Sequence, residues 1–227
     1  MKHQSNILAL KYRPLNFQDL IGQEYLVETI QKSIEQNKIP NAYIFTGIRG
    51  VGKTTTARIV AKMLNCTVFD KNNNPDLINC EQAKAITEDR HPDVIEIDAA
   101  SNTSVENARE IIENVKYNPV LGKYKVYIVD EVHMLSKSAF NALLKTLEEP
   151  PPHSKFIFAT TEISKVPITI LSRCQRFDLR RVEKKTLSDF LKSIAKKEDI
   201  TISNEALNLI VKASDGSVRD SLSILDQ

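Results

Sequence analysis

The chain has 227 residues, of which 41% are hydrophobic and 26% charged, which excludes a disordered chain and provides enough apolar side chains for a core. Lys and Arg number 31 against 29 Asp and Glu, so the net charge of +2 does not indicate a nucleic-acid or membrane surface by itself. No apolar run approaches the roughly 20 residues needed to span a bilayer, and the amino terminus lacks a secretory signal, so we expect a cytoplasmic protein.

Helices and strands are predicted to alternate through the first 180 residues. A helix is predicted from about Gln23 to Glu35, and a second follows the capping-box pair Thr103 and Glu106. A third begins after Ser136 and ends before the prolines at 150–152. Short apolar strands are predicted near 42–46, 93–97, 126–129, 156–159 and 177–179. This alternation predicts an α/β fold with a parallel sheet covered on both faces and a ligand at the carboxyl ends of its strands.

The strand signals stop at about residue 181. Apolar residues at helical spacing then predict helices around 187–194 and 207–211, and the segment 216–227 begins a third. We therefore predict an α/β domain over 1–180 and a small all-α domain over 181–227. The chain stops at Gln227 in the middle of a helical pattern, so we expect a fragment of a longer protein.

Three of the six glycines fall between residues 47 and 52, directly between a predicted strand and a predicted helix. This segment, GIRGVGKT, matches the phosphate-loop pattern G-x-x-x-x-G-K-[ST], in which backbone N–H groups surround phosphate oxygens. Lys53 would reach the β- and γ-phosphates, and Thr54 would offer its hydroxyl to Mg²⁺. A glycine turn without a ligand is the alternative, which the strand–loop–helix context disfavours. The predicted nucleotide-binding residues of the loop are Gly47, Ile48, Arg49, Gly50, Val51, Gly52, Lys53, Thr54 and Thr55.

Two carboxylates end the predicted strand at 126–129. Because adjacent residues of a strand point to opposite sides, we predict that Asp130 serves Mg²⁺ while Glu131 orients and polarises the attacking water. Solvated acids at a strand end are the alternative, and the intact phosphate loop weakens it. His133 follows closely, but a lone histidine after a strand predicts no chemical role.

Five segments together carry a family resemblance. They are GIRGVGKT, VYIVDEVHMLS, FNALLKTLEEPPPHSKFIFATTE, ILSRCQRF and GSVRDSLSILDQ. They resemble the gamma/tau family of bacterial DNA polymerase III, the AAA+ ATPases that drive the sliding-clamp loader, and the resemblance runs from KYRP at 11–14 to the last residue. It implies an AAA+ nucleotide-binding domain followed by a helical lid domain. It also implies an ATP hydrolase that travels within the DNA-directed DNA polymerase holoenzyme without a polymerase active site of its own.

The resemblance also implies roles for residues outside the two motifs. The amino-terminal segment would lie against the adenine, and a threonine at the end of the next strand would sense the γ-phosphate, with Thr161 favoured over Thr160. By this resemblance the adenine-side residues are Tyr12, Arg13 and Pro14 together with Ile21, Gly22 and Gln23, of which Ile21 is the predicted binding residue.

Two arginines are implied in the same way. Arg173 resembles the arginine finger that acts in trans, on the ATP of a neighbouring ring subunit, where its guanidinium meets the charge developing on the γ-phosphate. Arg219 resembles the second sensor, which reaches the γ-phosphate of its own chain from the lid. A surface ion pair for Arg173 and a solvated helix terminus for Arg219 are the alternatives.

One departure from the family concerns metal. Many relatives carry a four-cysteine zinc module, whereas here Cys66 and Cys80 remain and the other two positions fall on Leu77 and Ala83. Structural Zn²⁺ usually takes four protein ligands, so we expect no zinc site and a mobile loop around residues 70–76.

The resemblance implies ATP and Mg²⁺ as cofactors, and partners of three kinds. These are other clamp-loader subunits in a hetero-oligomeric ring, the sliding clamp, and primer–template DNA held through its backbone. The first rival function is another AAA+ DNA motor, for branch migration or helicase loading, which the SRC and EEPPP segments disfavour. The second is a non-hydrolysing ring scaffold, which the presence of both complete motifs disfavours.

Overall fold

A computed structural model of the chain describes residues 7–70, 75–101 and 105–227. As predicted, helices separate the successive strands, and only helices follow the last strand. In chain order the elements are α1 (Leu8–Lys11), α2 (Glu24–Glu35), β1 (Ala42–Thr46), α3 (Lys53–Asn65), α4 (Glu81–Thr87), β2 (Val94–Asp98), α5 (Val105–Val115), β3 (Lys125–Asp130), α6 (Lys137–Glu148), β4 (Ser154–Thr160), α7 (Ile168–Leu171), β5 (Gln175–Asp178), α8 (Lys184–Lys197), α9 (Asn204–Ser214) and α10 (Val218–Leu225).

The five strands form one parallel sheet in the order β2-β3-β4-β1-β5, which confirms the predicted fold class. The phosphate-loop strand β1 pairs with β4, with Thr46 opposite Thr160, and β2 pairs with β3, with Asp98 opposite Asp130. This register brings the carboxyl ends of the strands to a common edge. Polar residues that are far apart in sequence therefore meet there.

Alternate residues of the central strands feed two separate hydrophobic cores. On β1, Ile44 contributes to the core beneath α5 and α6, whereas Tyr43 and Phe45 contribute to the core beneath α2 and α3. On β3, Tyr127 and Val129 face the first of these cores, and Val126 and Ile128 face the second. Because both faces are covered, these strands read as continuous apolar runs.

The last three helices share a third core. Leu187, Leu191, Leu207 and Leu222 are buried together, and Leu8 of α1 belongs to the same cluster. The amino-terminal helix therefore packs on the helical region rather than on the sheet. Ser203 and Ser217 cap α9 and α10 by accepting hydrogen bonds from backbone N–H groups three residues later.

The helix caps and the loop predicted from the sequence can be compared with the structure one by one. Ser136 accepts a hydrogen bond from the backbone N of Ala139 at 3.2 Å and so caps α6, as its position predicted. Helix α5 forms where it was expected, but Thr103, its predicted cap, lies outside the described residues. Most of the loop predicted to be mobile, residues 71–74, lies outside them as well. None of the helices formed by the described residues is long and apolar enough to cross a membrane.

Candidate nucleotide-binding site

A cleft of about 600 Å³ opens at the carboxyl edge of the sheet, between the loop after β1 and the helical region. Much of its lining was predicted from the sequence. Helix α10 closes one side with Arg219, which was predicted, and with Val218, Leu222 and Ser223, which were not. The predicted residues that line it are Tyr12, Arg13, Pro14, Ile21, Arg49, Gly50, Val51, Gly52, Lys53, Thr54, Thr55, Asp130, Glu131 and Arg219.

The loop from Gly47 to Gly52 wraps around the side chain of Lys53. The φ angles of Gly50 and Gly52 are 75° and 105°, a region that glycine adopts without the strain a side chain would bring. Lys53 is buried, and its Nζ donates hydrogen bonds to the carbonyl oxygens of Gly47 and Ile48, both at 3.0 Å. Burial lowers the pKa of Lys53, and the nearby carboxylates of Glu131 and Asp130 oppose that shift. The loop thus holds a cation where phosphate oxygens would arrive.

A direct hydrogen bond joins the two sequence motifs. Thr54, at the start of α3, donates its hydroxyl to Oδ2 of Asp130 at 2.6 Å. Asp98, at the end of the adjacent strand β2, also lines the cleft and was not among the residues predicted from the sequence. The signal that could have found it is an aspartate ending the strand next to the one that carries Asp130. These oxygen atoms are the ligand type that Mg²⁺ prefers, and such sites use one or two carboxylates together with substrate phosphates.

Glu131 lies beyond the strand on which its predicted direction depended. Strand β3 ends at Asp130, and Glu131 adopts a left-handed conformation with φ 45° in the turn beyond it, so strand alternation does not set its direction. Its Oε2 accepts hydrogen bonds from the backbone N and the hydroxyl of Thr161, both at 3.0 Å. Thr161 therefore reaches the site through Glu131, without lining the cleft itself.

Arg219 enters the cleft from the first turn of α10. Its backbone N donates to the carbonyl oxygen of Gly50 at 3.2 Å, and a Cβ atom added to Gly50 would overlap the hydroxyl of Ser217. The helical region therefore rests directly on the phosphate loop.

The segment around Tyr12 and Arg13 lines the cleft and also contacts the end of helix α8. The hydroxyl of Tyr12 and the ammonium of Lys11 both bond to Glu198 at the end of α8. Arg13 lines the cleft, and its pKa is lowered by burial first and by the positive charge of Arg58 second.

Arg173 does not line this cleft. Its guanidinium forms an ion pair with Glu148 at 2.5 Å and donates to the carbonyl oxygen of Thr169, also at 2.5 Å. The side chain is 30% exposed, at the end of α7. Arg173 therefore forms a surface ion pair within its own chain, which is the alternative to the arginine finger that the sequence left open.

Cys66 and Cys80 lie together at the base of the loop between α3 and α4. The same small buried cluster contains Ala83, with Leu77 packed against it, and these are the positions where the resemblance places the two missing zinc ligands. Cys66 donates its thiol to the carbonyl oxygen of Val68 at 3.1 Å. Over the described ranges, no group of three or more His, Cys, Asp and Glu side chains is arranged to hold a metal ion. The expectation of a zinc-free chain stays a prediction.

The phosphate loop on a five-stranded parallel sheet, the acidic strand end and the adjoining helices define a nucleotide-binding domain of the AAA+ class. Solved structures of the same fold include the Holliday junction branch migration motor RuvB of Thermotoga maritima, with a TM-score of 0.67, 20% identity and coverage of 93% of this chain and 63% of that one. A point mutant of the same RuvB matches with a TM-score of 0.68 and 19% identity over 93% of this chain and 64% of that one. At this level of identity the likeness concerns the fold.

Sequence comparisons place the chain within this class. A family model described as "DNA polymerase III, delta subunit" matches residues 22–183, and one described as "DNA polymerase III clamp loader subunit, ATPase lid domain" matches residues 186–227. The chain belongs to the DNA polymerase III gamma/tau family of clamp-loader ATPases.

Three relatives illustrate the degree of similarity. The tau/gamma subunit of Haemophilus influenzae is 49% identical over 97% of this chain, and the tau subunit of Escherichia coli is 47% identical over 97%. The gamma subunit of Buchnera aphidicola subsp. Baizongia pistaciae is 46% identical over 98% of the chain. The chain spans 32%, 34% and 60% of the lengths of these three relatives, respectively.

Proposed function

We propose that this chain is the ATP-hydrolysing motor of a DNA polymerase III clamp loader, which uses ATP to place the sliding clamp on primed DNA. The observation that carries the proposal is the hydrogen bond between Thr54 and Asp130, because it joins the phosphate loop to the acidic strand end inside one cleft. Membership of the gamma/tau family supports the identity of the motor. A non-hydrolysing scaffold has no need of both motifs together.

The proposed roles follow from the chemistry of each group. Lys53 and the loop N–H groups bind the phosphates of ATP, and Thr54 and Asp130 hold Mg²⁺, which would neutralise charge on the phosphate oxygens. Glu131 accepts the proton of the attacking water. Thr161 and Arg219 respond to the γ-phosphate, and the amino-terminal residues 12–14 with Ile21 receive the adenine.

We further propose that the chain acts within a ring whose other members are clamp-loader subunits. Arg173 lies outside its own cleft, which supports a role at the ATP of a neighbouring subunit, where it would exchange Glu148 for phosphate oxygens. The sliding clamp and primer–template DNA are the proposed partners of the assembled ring. We also propose the domain division at residues 180 and 181, supported by the end of β5 at Asp178 and by the burial of Val182, Leu187 and Leu191 in the helical core.

The test is ATP turnover by the full-length protein assembled with its ring partners. We expect sliding clamp and primed DNA together to raise turnover severalfold, and Arg173→Ala to abolish that rise while ATP binding persists. Turnover that responds to DNA but ignores the clamp would indicate another DNA motor. Absence of turnover under every condition would indicate a scaffold.

A further inference from the structure

His133 lies between two carboxylates at the carboxyl edge of the sheet. Its Nδ1 is 3.3 Å from Oε2 of Glu131, and its Nε2 is 3.4 Å from Oε1 of Glu162. Nδ1 is also 2.9 Å from the hydroxyl oxygen of Thr160. The side chain is only 6% exposed, so protein groups rather than bulk water surround the ring. The imidazole ring thus has a carboxylate oxygen close to each of its two nitrogens.

Glu131 is anchored through one of its two carboxylate oxygens. Oε2 accepts the two hydrogen bonds from Thr161 and faces Nδ1 of His133. Within the described part of the chain, no hydrogen bond engages Oε1 of Glu131. One oxygen is therefore held by protein groups, while the other is left to accept a proton.

The two anchors come from different elements. Thr161 follows β4, whereas His133 belongs to the turn that follows Glu131 itself. The terminal torsion of a glutamate is broad, so a single anchor leaves the carboxylate free to rotate. Two anchors from different directions restrict that rotation and fix the direction in which Oε1 points.

The ring of His133 is itself held from its far side. Glu162 lies against Nε2, and its carboxylate pairs with Lys165 at 2.8 Å. The hydrogen bond from Lys165 lowers the pKa of Glu162, which keeps that side chain a carboxylate at neutral pH. The backbone N of Glu162 donates to Thr160 at 3.0 Å, so the residues on both sides of the ring are connected.

We propose that His133 is a positioning residue for ATP hydrolysis, holding the Glu131 carboxylate so that Oε1 receives the proton of the attacking water. This inference rests on the proposed ATPase function. In that step the water oxygen bonds to the γ-phosphorus, the bond to the ADP oxygen breaks with its electron pair leaving on ADP, and the water proton passes to Oε1. His133 neither donates nor accepts that proton. It acts through Glu131.

The experiment compares variants of the full-length protein in its assembled ring with clamp and primed DNA. His133→Phe keeps a ring of similar volume without either nitrogen, and His133→Asn keeps a donor near the position of Nδ1. We expect His133→Phe to lower kcat by about 10- to 100-fold with the Kd for ATP unchanged, because small misplacements of a reacting group cost up to about 10²-fold. His133→Asn should recover part of that loss.

A matched control is available in the same chain. His153 is also partly buried, but its ring nitrogen lies 3.0 Å from the backbone carbonyl of Val115, away from the cleft. His153→Phe should leave kcat and the Kd for ATP as they are. Circular dichroism and the melting temperature identify any variant that fails to fold, in which case His133→Asn carries the comparison.

A double-mutant cycle separates positioning from a merely structural role. If His133 acts through Glu131, His133→Phe should cause no further loss of single-turnover rate in a Glu131→Gln background. Losses that multiply, or an unchanged kcat in His133→Phe, would overturn the inference. These comparisons are made against a wild-type ring that hydrolyses ATP. A wild-type ring without turnover would instead overturn the proposed function.

Discussion

Asp93 is a fully buried carboxylate that holds the turn leading into β3. It accepts hydrogen bonds from the backbone N–H groups of Val120, Leu121 and Gly122, each at 2.7 Å. Burial alone would raise the pKa of Asp93, but these three donors outweigh it, and the pKa lies below its ordinary value. The charged form therefore stabilises the fold. The turn it secures precedes the strand that delivers Asp130 to the cleft.

Asp93→Asn should lower the free energy of unfolding at pH 7 by about 1.5–3 kcal/mol, the range for hydrogen bonds to a charged group. Since the pKa is depressed in the folded state, this stabilisation is complete above the unfolded value of about 3.9 and is lost as the pH falls through the folded value. Urea denaturation from pH 7 to pH 3 measures the difference, which should shrink on acidification. Asp189→Asn, at an exposed position on α8, is the control. A difference that stays constant with pH would contradict the assignment.

At the scale of elements, the contact between α10 and the phosphate loop couples the two parts of the molecule. Gly50 and Gly52 both have positive φ, but only Gly50 touches α10. A Cβ on Gly50 would overlap Ser217 and lie 3.1 Å from the Cβ of Arg219. A Cβ on Gly52 would meet only Leu20, at 3.8 Å. A substitution at Gly52 would therefore cause backbone strain alone, whereas the same substitution at Gly50 would also displace α10.

We expect Gly50→Ala to release α10 from the loop, whereas Gly52→Ala should bring only the strain of a left-handed alanine, about 1–2 kcal/mol. Limited proteolysis and hydrogen exchange of residues 181–227 report the docking of the helices. Faster cleavage and exchange in Gly50→Ala than in Gly52→Ala is the expected result. Equal behaviour of the two variants would mean that the contact does not hold the helical region in place.

At the scale of the whole molecule, the proposed function divides the site between what one chain supplies and what a neighbouring subunit would add. The cleft contains Lys53, Thr54, Asp130 and Arg219, whereas Arg173 lies outside it in an ion pair with Glu148. A guanidinium at a γ-phosphate is worth about 10³–10⁵ in rate. A single chain with Arg173 outside its own cleft is therefore expected to hydrolyse ATP slowly.

Complementation tests this division. Full-length Lys53→Ala and Arg173→Ala chains should each give rings with little turnover, and mixing them before assembly should restore a fraction of wild-type activity. The reason is that an intact cleft of one variant then faces the intact arginine of the other. Steady-state ATP turnover against the mixing ratio is the measurement. If the turnover of the mixture is only the weighted average of the turnovers of the two variants, Arg173 acts within its own chain.

Short-range patterns account for the parts of this protein that could be predicted. The phosphate loop needs closely spaced glycines with positive φ between a strand and a helix, and the sheet strands need unbroken apolar runs, so both are visible in a single stretch of sequence. The sequence therefore predicted the parallel sheet, the loop from Gly47 to Thr54 and the acidic strand end. Ser136 indicated the start of α6 through the same local chemistry.

Contacts between distant residues were decided only by the tertiary structure. The pairing of β2 with β3 places Asp98 beside Asp130, and the turn beyond β3 directs Glu131 towards Thr161 and His133. The packing of α10 sets Arg219 against Gly50. Strand order and helix docking depend on which apolar surfaces are buried against each other across the whole chain, so no local pattern encodes them. Local conformation follows from neighbouring residues, whereas the meeting of side chains in the site follows from the long-range register that burial of the cores imposes.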